Sequence, residues 1–466
     1  MRRQIGIDAV PAYSGKFVYC DERGSALAQG PCQLGFDTET VTITPVPGTA
    51  LVFDLGDVDR LISGDWDLQC ALYTGRILTL QQFGKAFGEM RDGLAHAWCE
   101  RTVRCLLLED LEEVARFNGT VAQGTSDAVA AEIRLYKSNL AILPAAGTPF
   151  QWRLAQVDST AFDQAAYTVL LQSGVDRIVI GKLAKKTDEF IARLQETLTA
   201  LRARTAEALH RMLPFLDADR LQQLVRLMPE GRSVRLAALA DIDPRLPEAM
   251  VARAVDARLK PYCDALRAQS VDHSLFVGFK FIRKDELADL PDSAEADAQA
   301  QPGSDATGSD ATGGDAAIQD KLSNEAGEEN PTFTWLFFPL SNLGSSGYSN
   351  LIAWEASTGS GRATYFFRAV PSEKAEVLSD LERGAAVVES AIQSLTSGLS
   401  LVNFRREPIY LPDDSLEFQP RFRRYAIAAR KLPDLRALRG TFLGRAIHST
   451  PENWSSQVQA IRNASG

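Results

Sequence analysis

The stretch Phe53-x-Leu55-x-x-Val58-Asp59 returns about 100 residues later as Trp152-x-Leu154-x-x-Val157-Asp158. In the same order, Tyr13-Ser14-Gly15 returns as Phe117-Asn118-Gly119. The offset between the copies drifts from 99 to 104, as insertions in loops would cause. A period near 100 residues is the size of a small domain and exceeds the roughly 20–50 residues of a solenoid unit. The sequence therefore predicts duplicated modules.

Each copy contains seven short strand patterns followed by one long helix pattern. The alternation in Val41-Thr42-Ile43-Thr44 is typical of a half-buried antiparallel strand. From Phe83 to Thr102 the apolar residues recur every three or four positions, which predicts an amphipathic helix. The second copy repeats this order and ends in a predicted helix over 185–212.

This order of elements resembles the pleckstrin-homology-like (PH-like) superfold. The resemblance implies an α+β fold with tandem PH-like bent antiparallel sheets, each capped by a C-terminal helix, and with a helical spacer between modules. The helix would cover the end of the bent sheet that closure leaves open. The predicted boundaries are 13–110 for module 1, 117–212 for module 2, 213–271 for the helical spacer, 272–411 for a divergent PH-like module 3, and 412–466 for a basic C-terminal helical segment.

Module 3 is predicted more loosely, from strand patterns at 273–282 and 332–370, a helix at 371–399 and a closing strand at 409–411. Residues 291–330 hold ten acidic residues and one lysine and lack aromatic residues. Such a segment buries too little apolar surface to offset its ordering entropy. We expect a disordered acidic loop inside module 3, with a linker between separate domains as the alternative.

Composition places the chain among ordinary globular proteins, with 45% apolar and 24% charged residues. We find no apolar run long enough to span a membrane and no apolar stretch after the N-terminal arginines, so the expected location is the cytoplasm. Six scattered cysteines and four separated histidines predict neither a disulfide framework nor a zinc site. The net charge of −10 comes mostly from 291–330, which contributes −9.

Catalytic and cofactor motifs are missing from the sequence. There is no phosphate-binding loop, no G-x-S-x-G elbow and no HExxH. The carboxylate pairs Asp57/Asp59 and Asp65/Asp67 are not repeated in the second copy at an offset of 99, so we interpret both as solvated turns. We predict no catalytic residue, no metal site and no cofactor.

An aromatic cluster in module 3 has two interpretations. Its members could line a ligand groove, or they could pack inward as strand aromatics usually do. Core or module interface is favoured. The cluster is represented by Trp335, Phe337, Trp354 and Phe366.

The segment 419–446 carries eight basic residues against Asp434 alone. It has three interpretations: a helix face packed on the body, a surface that docks an acidic partner, or a contact with anionic lipid or nucleic acid. Nucleic acid is the weakest candidate because no aromatic platform is interleaved with the charges. The candidate partner- or lipid-binding residues are Arg421, Arg423, Arg424, Arg430, Lys431, Arg436 and Arg439.

Duplication without a catalytic constellation favours a non-enzymatic cytosolic scaffold that binds a protein or peptide through its PH-like modules. Bent-sheet modules commonly bind by adding a strand or helix to an edge or groove. One alternative is a peripheral membrane protein that reads anionic lipid through the basic segment. A second alternative is an enzyme whose site lies between modules.

Overall fold

A computed structural model describes residues 12–108, 111–145, 148–174, 176–270, 274–281, 332–341, 349–356, 363–369 and 381–465. The chain divides into two units by its tertiary contacts. Unit 1 is Met1–Leu198 with Pro412–Pro433, and unit 2 is Thr199–Leu411 with Asp434–Gly466. The acidic loop predicted at 291–330 lies outside the described residues.

The first module of unit 1 is a seven-stranded antiparallel sheet in the order β4-β3-β2-β1-β7-β6-β5. Its strands are β1 Tyr13–Cys20, β2 Ala26–Phe36, β3 Thr40–Pro45, β4 Leu51–Asp54, β5 Val58–Ser63, β6 Asp67–Leu72 and β7 Ile77–Gln81. A 3-10 turn at Leu55–Asp57 joins β4 to β5. Helix α1, Phe87–Cys105, follows the last strand and buries Met90, Leu94 and Trp98.

The second module repeats this arrangement in the order β11-β10-β9-β8-β14-β13-β12. Its strands are β8 Glu113–Gln123, β9 Val129–Tyr136, β10 Asn139–Pro144, β11 Phe150–Arg153, β12 Ser159–Asp163, β13 Thr168–Ser173 and β14 Asp176–Gly181. Helix α2, Thr187–Met212, follows. The predicted α+β class, with two successive antiparallel sheets each followed by a helix, is confirmed.

A repeated glycine explains part of this local similarity. A Cβ atom on Gly15 would lie 2.7 Å from the ring of Phe83, and one on Gly119 would lie 2.8 Å from Leu183. In both modules the large residue therefore packs directly on the first strand. The residues that precede it, Gln82 and Lys182, take positive φ values of 61° and 53°.

Unit 2 begins with the predicted helical region and continues into a third sheet. The remaining helices of this region are α3 Ala218–Leu227, α4 Leu236–Ala240, α5 Leu246–Ala254 and α6 Lys260–Gln269. The sheet consists of β15 Val234–Arg235, β16 Phe276–Phe281, β17 Thr332–Ser341, β18 Ser349–Ala356, β19 Ala363–Arg368 and β20 Phe442–Ile447. These six strands are hydrogen-bonded in sequence order, as an antiparallel meander.

The third sheet differs from the one expected for module 3. Its order is not that of the first two sheets, and two of its strands, β15 and β20, lie outside 272–411. The predicted closing strand at 409–411 is wrong, because Glu407–Tyr410 forms a short helix, α8. The edge position is filled by β20, which pairs with β19 from within the segment predicted as helical.

Both faces of the third sheet are buried. Leu336, Phe338 and Leu340 belong to one apolar core with α3 to α6. On the other face, Trp335 packs against Phe404 with ring centroids 4.4 Å apart. Helix α7, Leu381–Leu401, covers this face, where Thr396 contacts Ser233 at 2.7 Å.

The C-terminal segment contributes to both units. Helices α9 Asp413–Phe418 and α10 Arg423–Lys431 belong to unit 1. Helix α12, Pro451–Ser465, belongs to unit 2 together with nearly all of α11, Pro433–Thr441.

Candidate functional site

Module 1 carries an acidic corner at the 3-10 turn between β4 and β5. Asp54 begins the turn and accepts a hydrogen bond from the backbone N–H of Gly56 at 2.7 Å. The guanidinium of Arg101, on α1, donates to both Asp54 carboxylate oxygens at 2.9 and 3.0 Å. Asp57 follows at the end of the turn, and its side chain is 24% exposed. The interpretation of Asp57 as a solvated residue is therefore wrong.

The basic helix α10 binds this corner through three side chains. Arg423 contacts Asp57 at 3.1 Å and Asp54 at 3.3 Å. Arg430 contacts Asp57 at 3.3 Å, and its guanidinium lies 3.6 Å from the ring centroid of Tyr73. Lys431 donates to the backbone carbonyl of Val58 at 2.9 Å. The contacts with Asp54, Asp57 and Val58 join residues more than 360 positions apart in the chain.

The pKa values of Asp54 and Asp57 are shifted in opposite directions. Burial raises the pKa of Asp54, but hydrogen bonds from Arg101 and Gly56 outweigh it, and the net pKa is lowered. For Asp57 burial is the largest cause and prevails over Arg430 and Arg423, so its pKa is raised. Charge at this corner is thus compensated at Asp54 and incompletely compensated at Asp57.

The other predicted basic residues also have contacts within the chain. Arg421 lies over the ring of Phe422 at 4.4 Å and remains exposed. Arg424 donates to the hydroxyl of Tyr425 at 3.0 Å. Arg439 donates to the carbonyl oxygens of Pro408 and Leu411. Arg436 also has an interaction with another residue of the chain. A packed face describes most of this set better than an open basic patch.

The aromatic residues predicted as groove or core are all buried. Trp335, Phe337 and Phe366 are 0% exposed, and Trp354 is 1% exposed. They therefore lie in the core of unit 2 and line no open groove.

A pocket of about 410 Å³ lies at the other end of module 1, between the β5–β6 turn and the start of α1. Trp66 stands on its rim with 74% of its surface exposed. Phe83 and Phe87, each 5% exposed, supply apolar walls. The lining residues are Asp65, Trp66, Asp67, Gln81, Gln82, Phe83, Gly84 and Phe87.

Sequence reasoning missed this pocket because it considered Asp65 and Asp67 without the tryptophan between them. The available signal was a tryptophan flanked by two aspartates directly after the turn residues Ser63-Gly64. A tryptophan side chain that is 74% exposed is informative, because tryptophan is highly buried on average.

Strand register gives the equivalent residues in module 2. Leu68 pairs with Leu80, and Val169 pairs with Ile180, so Leu68 corresponds to Val169. Trp66 then corresponds to Tyr167, and Asp67 to Thr168 (an offset of 101, not 99). Tyr167 is 64% exposed. Module 2 thus keeps the exposed aromatic residue but lacks both carboxylates.

Unit 2 holds a buried polar cluster that does not form a catalytic triad. The Nε2 atom of His448 lies 3.1 Å from Glu355 and 3.1 Å from the hydroxyl of Thr364. A triad requires the carboxylate and the nucleophile on opposite ring nitrogens. Here both contact the same nitrogen, and Trp454 also donates to the Thr364 hydroxyl at 2.9 Å.

Within the described ranges, no group of three or more His, Cys, Asp or Glu side chains could hold a metal ion. No described helix is long and apolar enough to cross a membrane. Neither the comparison with protein-family models nor that with curated proteins finds a match to this chain.

Proposed function

We propose that the chain is a non-enzymatic, cytoplasmic scaffold that binds another protein through PH-like modules. The repeated strand order with a helix after each sheet supports two such modules in unit 1. PH-like modules are suited to this role because a bent sheet and its closing helix leave a groove and edges for a peptide or helix.

One observation carries the proposal. Module 1 holds the helix Arg423–Lys431, which comes from a distant part of the chain, by side-chain-specific contacts at its β4–β5 corner. Ile427 lies so close to the turn that a Cβ atom on Gly56 would be 2.9 Å from its Cδ1. The module surface thus accommodates a helical segment through charge pairing and apolar insertion, the two elements of helix recognition.

Affinity capture of the tagged full chain from its native cells tests the proposal. We expect one partner in constant ratio to the chain, and we expect its loss in Trp66→Ala with retention in Tyr167→Ala. A partner retained by both variants would argue against binding at the module 1 pocket. The absence of any stable partner would argue against the scaffold function.

A flotation assay with phosphatidylserine vesicles tests the lipid alternative. We expect no salt-sensitive co-flotation, because Arg423, Arg430 and Lys431 are engaged with module 1. Flotation that Arg421→Glu abolishes would instead favour lipid binding, since Arg421 is exposed.

A further inference from the structure

We propose that the pocket at Trp66 in module 1 binds the cationic side chain of an arginine or lysine presented by a partner protein. This inference rests on the proposed binding function and specifies the chemistry of the partner. The pocket volume of about 410 Å³ falls in the range of roughly 300–1,000 Å³ that is typical of ligand sites.

The lining suits a cation on a long aliphatic stem. The carboxylates of Asp65 and Asp67 can pair with a guanidinium or ammonium group, and the exposed Trp66 indole can accept it on its face. Phe83 and Phe87 offer an apolar wall for the methylene groups of the stem. The amides of Gln81 and Gln82 add neutral hydrogen-bonding groups without a competing positive charge.

The protein does not neutralise these two carboxylates itself. Among the described residues, Asp65 has no ion-pair or hydrogen-bond partner, and Asp67 receives a side-chain hydrogen bond only from Gln69, at 3.3 Å. Asp54 and Asp57, in contrast, are paired with Arg101, Arg423 and Arg430. The pocket therefore presents negative charge that is available to a ligand.

The same module already holds an arginine in this way at its other end. Arg430 stacks on Tyr73 at 3.6 Å and pairs with the Asp57 carboxylate at 3.3 Å. The pocket offers the same two elements, an aromatic face and carboxylates, with no arginine of the described chain between them. An arginine from a partner would complete the arrangement.

Module 2 does not offer this chemistry at the equivalent position. Ala166 and Thr168 replace the two carboxylates, and Lys182 replaces Gln82. A cation should therefore bind at module 1 only, which makes Tyr167 an internal reference for the measurement.

The experiment uses the full chain labelled with ¹⁵N at its six tryptophan indoles. The Trp66 signal is identified by its loss in Trp66→Phe. The probes are acetylated pentapeptides of alanine with a central arginine, lysine, citrulline or glutamate. We expect the arginine and lysine peptides to shift the Trp66 signal and to bind about tenfold or more tightly than the citrulline peptide, which has the shape of arginine without its charge.

The variant Asp65→Asn/Asp67→Asn should reduce affinity for the arginine peptide about tenfold or more and leave the other indole signals in place, which reports an intact fold. Equal binding of the citrulline and arginine peptides, or an unmoved Trp66 signal, would overturn the proposal. If free agmatine binds more tightly than the arginine peptide, the ligand is a small amine, and the proposal that a partner protein supplies the cation is wrong. If the Trp66 signal does not move but a partner is still captured from cells, the proposed ligand chemistry is wrong and the proposed scaffold function is not contradicted.

Discussion

Modules 1 and 2 share one strand order but differ in how much of their equivalent strands is buried. In β10 of module 2 every residue is buried, whereas β3 of module 1 alternates between buried and partly exposed residues. Helix α1 of module 1 also contacts the sheet of module 2, where Glu100 pairs with Arg134 of β9 at 2.8 Å. The two modules thus share their strand order and differ in what covers their sheets.

Charge diverged most clearly at two equivalent places. At the β4–β5 corner, Asp54 and Asp57 of module 1 correspond to Arg153 and Gln156 of module 2. At the pocket, Asp67 corresponds to Thr168. Equivalent positions of the two modules therefore carry different charge at both places.

The largest expected effect concerns Arg134, which is 1% exposed and corresponds to Gly35 in module 1. Burial lowers its pKa, but hydrogen bonds and charge from Glu100 and Glu132 prevail and raise it. Arg134→Ala leaves these carboxylates facing each other and should cost about 3 kcal/mol of unfolding free energy. The measurement is urea denaturation, with Arg116→Ala as the control, because Arg116 is 39% exposed in the same network and should contribute about 1 kcal/mol or less. Equal losses in the two variants would contradict the role of burial.

The next largest effect is expected at the repeated glycines, where the same substitution should cost the two modules different amounts of unfolding free energy. In Gly119→Ala the new Cβ would lie 2.6 Å from the backbone oxygen of Gly181, which cannot move aside, and we expect a loss of about 2–3 kcal/mol. In Gly15→Ala the close atoms belong to the Phe83 ring, which can shift, so the loss should be nearer about 1 kcal/mol. Thermal denaturation of both variants checks this order, and the reverse order would refute it.

The acid dependence of stability should distinguish the two aspartates of the module 1 corner. Because its folded-state pKa is lowered, Asp54 contributes stability above its unfolded pKa of about 3.9, and this contribution is lost as the pH falls through the folded pKa. Asp54→Asn should therefore lose about 1.5 kcal/mol at pH 7, with the difference from the native chain closing below about pH 4. Urea denaturation of both chains at several pH values from 7 to about 4 measures this difference in unfolding free energy.

Asp57→Asn serves as the control, because the contribution of Asp57 to stability should change with pH in the opposite direction to that of Asp54. The raised folded-state pKa of Asp57 means that its charged form opposes folding at neutral pH, and this opposition disappears as the pH falls below the unfolded value. The native chain should thus gain stability relative to Asp57→Asn as the solution is acidified. A parallel response of the two variants would show that the corner titrates as one unit.

The smallest expected effect is at the pocket. Trp66→Ala and Tyr167→Ala remove side chains that are 74% and 64% exposed, so each should change the unfolding free energy by less than about 0.5 kcal/mol. Thermal denaturation measures this. A larger loss at Trp66 would mean that its ring supports the fold, and binding data from the variant would then lose their meaning.

The fold of modules 1 and 2 was largely predictable, because their strands alternate cleanly and each helix pattern is long. The third sheet was not, since β15 is only the pair Val234–Arg235 and β20 contains Gly444 and Arg445 within a basic stretch. β15 and β20 form strands because they pair with β16 and β19. This pairing cannot be predicted from the local sequence pattern. The basic segment posed the same difficulty, because its charge was visible while its partners, Asp54 and Asp57, lie more than 360 positions away.

Unit 1 is completed by a segment that the ribosome makes very late. Arg423 is synthesised 369 residues after Asp54, an interval of about 20–70 s at about 5–20 residues per second. During that interval Asp54, Asp57 and the ring of Tyr73 lack their contacts with Arg423 and Arg430, while Arg101 of α1 is already present to pair with Asp54. The contacts between this corner and α10 can therefore form only after Pro412–Pro433 has been synthesised.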